Sequence, residues 1–259
     1  ALEDGRLFAA AAGGLFVAPS PDAPWDAVPT VAGLEGAEAV ALHRTSDGTL
    51  WVGTVRGLGR MLPGGALTRY ASSDLPRGSA SVIAPGRKGG LLVGIAEFGL
   101  FTLDPATGAA VRVGDDVVPG RNVSGLVHEP DGDGTWIATS DRGAFRWDGR
   151  TGFEHLGPPE GLPDARVWSV LVDREGIVWM GTDSGLAKRG ATAFRTFGPE
   201  DGLPEASPLY GMAETPGGVL WFGAHDRGLL RRNPDGTFRL FTNRDGLPHT
   251  EVRSFCVTP

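Results

Sequence analysis

Cysteine is nearly missing from this 259-residue sequence. Cys256 stands alone, which excludes an internal disulfide and any cysteine-based metal cluster and leaves both cytoplasm and periplasm open. Placed amid Phe255 and Val257 on an apolar strand, it reads as a buried inert thiol. No apolar run approaches the roughly 18 residues of a membrane-spanning helix, and no Arg- or Lys-led apolar leader opens the chain. No membrane span and no export signal are therefore read in the sequence, and a signal removed beforehand leaves the same picture. A basic excess is lacking too: the net charge is −7, which disfavours a sequence-independent nucleic-acid binder. Scarcely any stretch of about 15 residues lacks a Gly or Pro, so long helices are disfavoured.

What is abundant is glycine, 41 of 259 residues, about 16% against a usual share of roughly 7%. No G-X-Y period appears, which excludes collagen, and 41% hydrophobic residues argue against disorder. The glycines belong in turns.

A repeat places them. Gly48-Thr49-Leu50-Trp51-Val52-Gly53-Thr54 returns as Gly176-Ile177-Val178-Trp179-Met180-Gly181-Thr182 and as Gly218-Val219-Leu220-Trp221-Phe222-Gly223-Ala224, with weaker copies around Phe8, Leu92 and Trp136. The six centres are spaced by 43, 41, 44, 43 and 42 residues. Each copy continues through a glycine-closed turn into a second strand, as at Gly57-Leu58 and Gly143-Ala144-Phe145, which is a β-hairpin pattern. A third strand follows in several copies, such as Phe194-Arg195-Thr196-Phe197. A Gly-Leu-Pro entry loop at 161–163, 202–204 and 246–248 then leads into a Val-rich strand. Four short strands in a period of about 40–50 residues predict propeller blades. The expected fold is an all-β, six-bladed β-propeller of four-stranded antiparallel blades, one domain over residues 1–259. The chain opens at the turn before a first hairpin and ends in an entry strand at 250–257, so pairing of residues 252–257 with 7–10 is expected to close the ring and remove its open edges.

The pattern Asp-Gly-x-Leu-Trp-Val-Gly-Thr-x-x-Gly-Leu, with Asp-Gly-Leu-Pro and Val-x-Ser-Val, resembles the two-component regulator propeller repeat of bacterial sensor proteins. Residues 47–58, 173–186, 201–204 and 216–229 carry that resemblance. It implies an extracytoplasmic, periplasmic ligand-sensing part of a histidine kinase, response regulator or diguanylate cyclase, with a signalling domain or partner protein to receive its output. The sequence itself holds no kinase or cyclase module. Both an excised sensor domain and a stand-alone propeller fit.

In a propeller the entry loops and the turns between second and third strands converge on one face, where ligands bind. Residues repeated in every copy serve the blade, and residues that break the repeat on that face are site candidates. The turns come in a short form (54–57, 182–185, 11–14) and a longer one (95–99, 139–143, 224–228). Asp-Arg occurs twice, at 141–142 and 226–227, which favours a structural role in which the Asp accepts turn amides. Arg56, Glu97, Phe98, Asp183 and His225 do not repeat. On the entry strands an apolar slot is read at Val40, Val82, Val123, Val167, Leu209 and Val252, with a compact residue two places on. Between them lie Ala41, Ile83, Ser124, Trp168, Tyr210 and Arg253, which vary widely. Arg166, His249 and Glu251 lie in the loops just above. An aromatic wall of Trp168 and Tyr210 with Arg and carboxylate edges suits a small molecule such as an aromatic acid, a glycan or a peptide. The plainer role for the two aromatics is to plug a central channel.

Enzymatic signals are few. No H-E-x-x-H, G-x-S-x-G, Walker or dinucleotide motif is present, so no catalytic residue and no cofactor is assigned. His225 with Glu97, Asp141 and Asp183 is the candidate set for a cross-blade divalent metal. It is the basis of an alternative reading as a metal-assisted lyase or hydrolase. Asp131-Gly132-Asp133-Gly134 looks like a calcium-loop fragment without its closing Glu and is read as a hairpin turn.

Overall fold

Among the described residues, short apolar strands separated by glycine turns pair with their sequence neighbours. The computed structural model describes residues 7–11, 14–19, 23–28, 34, 36–114, 122–130, 134–190, 193–204, 208–215, 217–247 and 249–252. The chain divides into two compact units, Ala1–Val123 and Ser124–Pro259.

The first unit holds three sheets. They are β1 (Leu7–Ala11), β2 (Gly14–Ala18) and β3 (Asp26–Ala27); β4 (Ala39–Arg44), β5 (Leu50–Thr54), β6 (Gly57–Met61) and β7 (Thr68–Arg69); and β8 (Ala80–Pro85), β9 (Leu91–Ile95), β10 (Gly99–Leu103) and β11 (Ala110–Arg112). The second holds β12 (Val123–His128, beginning on the last residue of the first unit), β13 (Thr135–Thr139), β14 (Gly143–Trp147) and β15 (Phe153–Leu156); β16 (Val167–Val172), β17 (Val178–Thr182), β18 (Gly185–Arg189) and β19 (Phe194–Phe197); and β20 (Leu209–Glu214), β21 (Leu220–Ala224), β22 (Gly228–Arg232) and β23 (Phe238–Phe241). Every sheet runs in sequence order, so the fold is the expected six-bladed β-propeller. Among the described residues β1–β3 form a three-stranded sheet.

The repeated residues explain the blade. Trp51, Trp136 and Trp179 are each 1% exposed at the centre of the second strand. In the second unit Trp179 stacks on Phe197 at 5.7 Å and donates its Nε1–H to Asp173 Oδ2 at 2.7 Å. Asp173 is itself buried and also accepts the amides of Glu175 and Ile177, so one carboxylate closes the turn and satisfies the indole. The glycine after the Trp strand has a steric cause. A Cβ on Gly181 would overlap the carbonyl oxygen of Leu209 on the next sheet's inner strand, and one on Gly223 would overlap that of Val252. Ser81, Ser124 and Ser169 bolt neighbouring inner strands together, donating to the carbonyls of Val123 (2.8 Å), Val167 (2.5 Å) and Leu209 (2.8 Å).

The entry loops are single 3-10 turns at Pro158–Glu160, Pro199–Asp201 and Asn243–Asp245. Their last acid folds back onto the amide just before the turn, Glu160 to Gly157 at 2.7 Å, Asp201 to Gly198 at 3.2 Å and Asp245 to Thr242 at 3.0 Å. Gly161, Gly202 and Gly246 then take positive φ, and Leu162 and Leu203 drop into the core. The acids of this motif are thus turn caps.

The strand register corrects one reading. In the second and third sheets the inward apolar slot is filled by Ala39 and Ala80, which face Thr54 and Ile95 as Val167 faces Thr182 and Leu209 faces Ala224. Ala39 is 4% exposed and Val40 is 41% exposed. A β-bulge follows this slot in all four sheets, so the residues between slot and compact position are Val40 and Ser81, not Ala41 and Ile83. Side-chain bulk misled the alignment, because a bulge leaves no mark in apolar spacing.

The hairpin lengths are as expected, with Thr54 opposite Gly57 and Thr182 opposite Gly185 in the short form, and Ile95 opposite Gly99 and Ala224 opposite Gly228 in the long one. Threonine accepts the turn amides of Arg56 (Thr54), Arg142 (Thr139) and Ser184 (Thr182), and in the 226–227 copy the Arg227 amide goes to the Ala224 carbonyl. The proposed closing strand at 252–257, with Cys256, and most of the Asp131-Gly132-Asp133-Gly134 turn lie outside the described residues.

Candidate functional site

The bulges decide which side chains leave the pleat. In the second unit the extra residue of β16 is Trp168 and that of β20 is Tyr210. A bulge rotates such a side chain out of the alternating pattern, which is why these positions escape the packing demand that fixes Val167 and Leu209. Trp168 and Tyr210 meet edge to face, with ring centroids 5.1 Å apart at 71°. Tyr210 meets the His225 ring the same way at 5.4 Å and 84°.

Polar partners hold both ends of this row. Trp168 donates its Nε1–H to Asp183 Oδ1 at 2.5 Å, and Arg166 Nε reaches the other oxygen of Asp183 at 2.8 Å. The Asp183 side chain is 19% exposed. Both its oxygens are used, so it orients the indole and the guanidinium together. Asp164 steadies the loop by accepting the Arg166 amide and the Ser184 hydroxyl. At the other end His225 Nε2 lies 3.7 Å from Glu251 Oε1 and Nδ1 lies 3.3 Å from Asp226 Oδ2. His249 Nδ1 accepts the Glu251 amide at 3.0 Å. Asp226 has φ 57°, a left-handed conformation unusual for a side-chain-bearing residue, and so presents the His225 turn in a strained form.

The structure therefore joins Arg166, Asp183, Trp168, Tyr210, His225 and Glu251 in one continuous row, with His249 beside it. Arg253 lies outside the described residues. The other three candidates belong to the first unit. Glu97, at φ 69°, donates its amide to Asn122 Oδ1 at 3.2 Å, and Phe98 beside it is 42% exposed. Arg56 follows Thr54 in the β5–β6 turn and lines a cavity of about 410 Å³ together with Arg69 and Arg77, two arginines that repeat filtering of the turns could not find because they lie outside them. Asp141 is an exposed residue of the β13–β14 turn. Among the described residues no three His, Cys, Asp or Glu side chains gather as metal ligands, and within the second unit Asp183 and His225 have the partners given above. Chemically the aromatic row offers a stacking surface with a fixed cation at one end and an acid–base pair at the other.

The two component regulator propeller family model matches residues 161–184, the segment from the entry-loop glycine through Trp168 and Trp179 to the next turn. No curated protein matched the sequence. Among solved structures the chain is similar to the extracellular domain of a B. thetaiotaomicron protein described as a hybrid two component system, at 18% identity and a TM-score of 0.85, covering 99% of this chain and 35% of that one. It is similar to a catalytically inactive virginiamycin B lyase from Staphylococcus aureus with quinupristin, at 12% identity and a TM-score of 0.73, covering 93% and 81%. It is also similar to PorZ, described as a surface component of the type-IX secretion system of Porphyromonas gingivalis, at 16% identity and a TM-score of 0.71, covering 96% and 42%. The chain thus spans about a third of the length of the hybrid-system structure. At such identities the likeness establishes the fold. Residues 161–184 thus resemble a two component regulator propeller repeat, in a chain with the six-bladed β-propeller fold.

Proposed function

We propose that the chain is the ligand-binding part of a bacterial two-component-type sensor, working outside the cytoplasm and recognising a glycan on the row from Arg166 to Glu251. The observation that carries this reading is the pair of bulged aromatics, Trp168 and Tyr210, in edge-to-face contact. Aromatic faces stack on the apolar faces of sugar rings, and the Arg166–Asp183 and His225–Glu251 pairs at the two ends supply donors and acceptors for hydroxyl groups. The extracellular domain of a hybrid two component system among its structural neighbours supports a sensor role. Among the described residues no helix is long and apolar enough to cross a membrane. Occupancy would be passed to a signalling domain or a partner protein. A peptide or an aromatic acid is the competing ligand class for the same surface.

The test is a thermal-shift and calorimetric screen of cellohexaose, xylohexaose and mannohexaose against wild type and Trp168→Ala. Binding by wild type that the variant loses supports the reading, and binding that the variant retains contradicts it. A second reading, a metal-assisted lyase or hydrolase, draws on the likeness to virginiamycin B lyase. It requires a divalent ion held by His225 and neighbouring carboxylates. Elemental analysis showing a stoichiometric divalent ion that is lost in His225→Ala would favour it.

A further inference from the structure

The first unit contains a second built site of different chemistry. Three exposed arginines, Arg56, Arg69 and Arg77, line the cavity of about 410 Å³, and among the described residues no Asp or Glu lines it. The chain as a whole carries a net charge of −7, so three cations around one cavity run against the overall balance.

The walls are fixed before any ligand arrives. Arg56 sits in the tight turn that Thr54 closes by accepting the Arg56 amide at 3.1 Å and donating to the Gly57 carbonyl at 2.9 Å. Arg69 is on β7, paired to Gly59 of β6. The loop leading to Arg77 is pinned to the β10–β11 turn: Ser72 donates to the Gly108 carbonyl at 2.6 Å, the Tyr70 hydroxyl donates to the Pro105 carbonyl at 3.3 Å, and Asp74 Oδ2 accepts the Ala110 amide at 3.3 Å. Tyr70, which also lines the cavity, is wedged against Trp51 at 4.9 Å. Planar guanidiniums on a rigid frame match oxyanions, which accept two parallel N–H bonds from each fork.

We infer that this cavity binds a small polyanion, a ligand bearing two or more carboxylate, sulfate or phosphate groups. The shared chemistry is the trigonal or tetrahedral oxyanion, and its source is separated by the probes. It does not rest on the aromatic row, which lies in the other unit and calls for a ligand with a stackable neutral face.

Isothermal titration of the full chain with citrate, pyrophosphate and sucrose octasulfate at low salt, with uncharged sucrose as control, tests it. At least one polyanion is expected to bind, with affinity falling as salt rises. The Arg69→Ala/Arg77→Ala variant should weaken that binding by about tenfold or more, Arg69→Lys/Arg77→Lys should restore part of it, and Trp168→Ala should leave it unchanged. Absence of binding by all three polyanions overturns the inference. So does equal binding by the double alanine variant, or an equal loss in Arg150→Ala/Arg244→Ala, which would mark a general charge effect.

Discussion

One structural position of the inner strand is used in two ways among the sheets. The bulge residue is Val40 or Ser81 in two sheets of the first unit and Trp168 or Tyr210 in two of the second. The flanking residues do the same work in all four: Ala39, Ala80, Val167 and Leu209 are all buried. Ser81 turns its hydroxyl to the Val123 carbonyl, a blade-to-blade bond, whereas Trp168 and Tyr210 turn to each other and to side chains that do not recur. The bulge is therefore a place the scaffold leaves open: Ser81 uses it for a bond to the next inner strand, and Trp168 and Tyr210 use it to form the aromatic row proposed above as a binding surface. Trp179 and Trp168 make the same contrast within one sheet. The first is enclosed by the sheet and tied to a turn aspartate, and the second is tied to Asp183 at the mouth of a turn.

The largest expected effect tests that contrast directly. Trp179→Ala should cost about 3–5 kcal/mol in chemical denaturation as a core truncation that also strands the Asp173 carboxylate. Trp168→Ala should stay within about 1 kcal/mol of wild type. Equal losses would dissolve the distinction. Next in size, Gly181→Ala should destabilise by about 1–3 kcal/mol, because the Leu209 backbone cannot yield to a new methyl group. Val40→Ala, at the exposed bulge of the first unit, should change stability by no more than about 0.5 kcal/mol. A neutral Gly181→Ala would remove the close-approach explanation of the repeated glycine.

A smaller effect concerns acid. Hydrogen bonds from Arg146, which bind the Glu129 carboxylate at both oxygens, hold it below the ordinary carboxylate range. Turn amides and hydroxyls do the same for Asp104 and Asp235. A carboxylate with a depressed pKa in the folded chain stabilises above its unfolded pKa and loses that contribution as pH falls through the folded value. Wild type should therefore lose melting temperature more steeply than Glu129→Gln between about pH 5 and pH 3. Parallel curves would show that this ion pair carries no linkage.

The blade was legible in the sequence because its rules are local and recur: the Trp strand, the glycine beside it and the glycine-closed turn all return at a fixed period. Six of the site residues were legible for the opposite reason, as breaks in that period on one side of the blade. Their mutual contacts were not, since Trp168 touches Tyr210 and His225 reaches Glu251 only through the packing of one sheet on the next. The bulges were hidden because alanine fills the slot in two sheets and the neighbouring valine looked the better candidate. Arg69 and Arg77 were missed because they lie on an outer strand and a connecting loop, where no repeat position exists to be broken.

On the proposed function, the bulge residues Trp168 and Tyr210 serve recognition while the repeated tryptophans serve the blade. Calorimetric titration of cellohexaose, xylohexaose and mannohexaose into wild type, Trp168→Ala and Trp179→Phe tests it. The expected result is binding of at least one hexaose by wild type and Trp179→Phe and a loss of about tenfold or more in Trp168→Ala. Unchanged affinity in Trp168→Ala, or no binding of any hexaose by wild type, contradicts it.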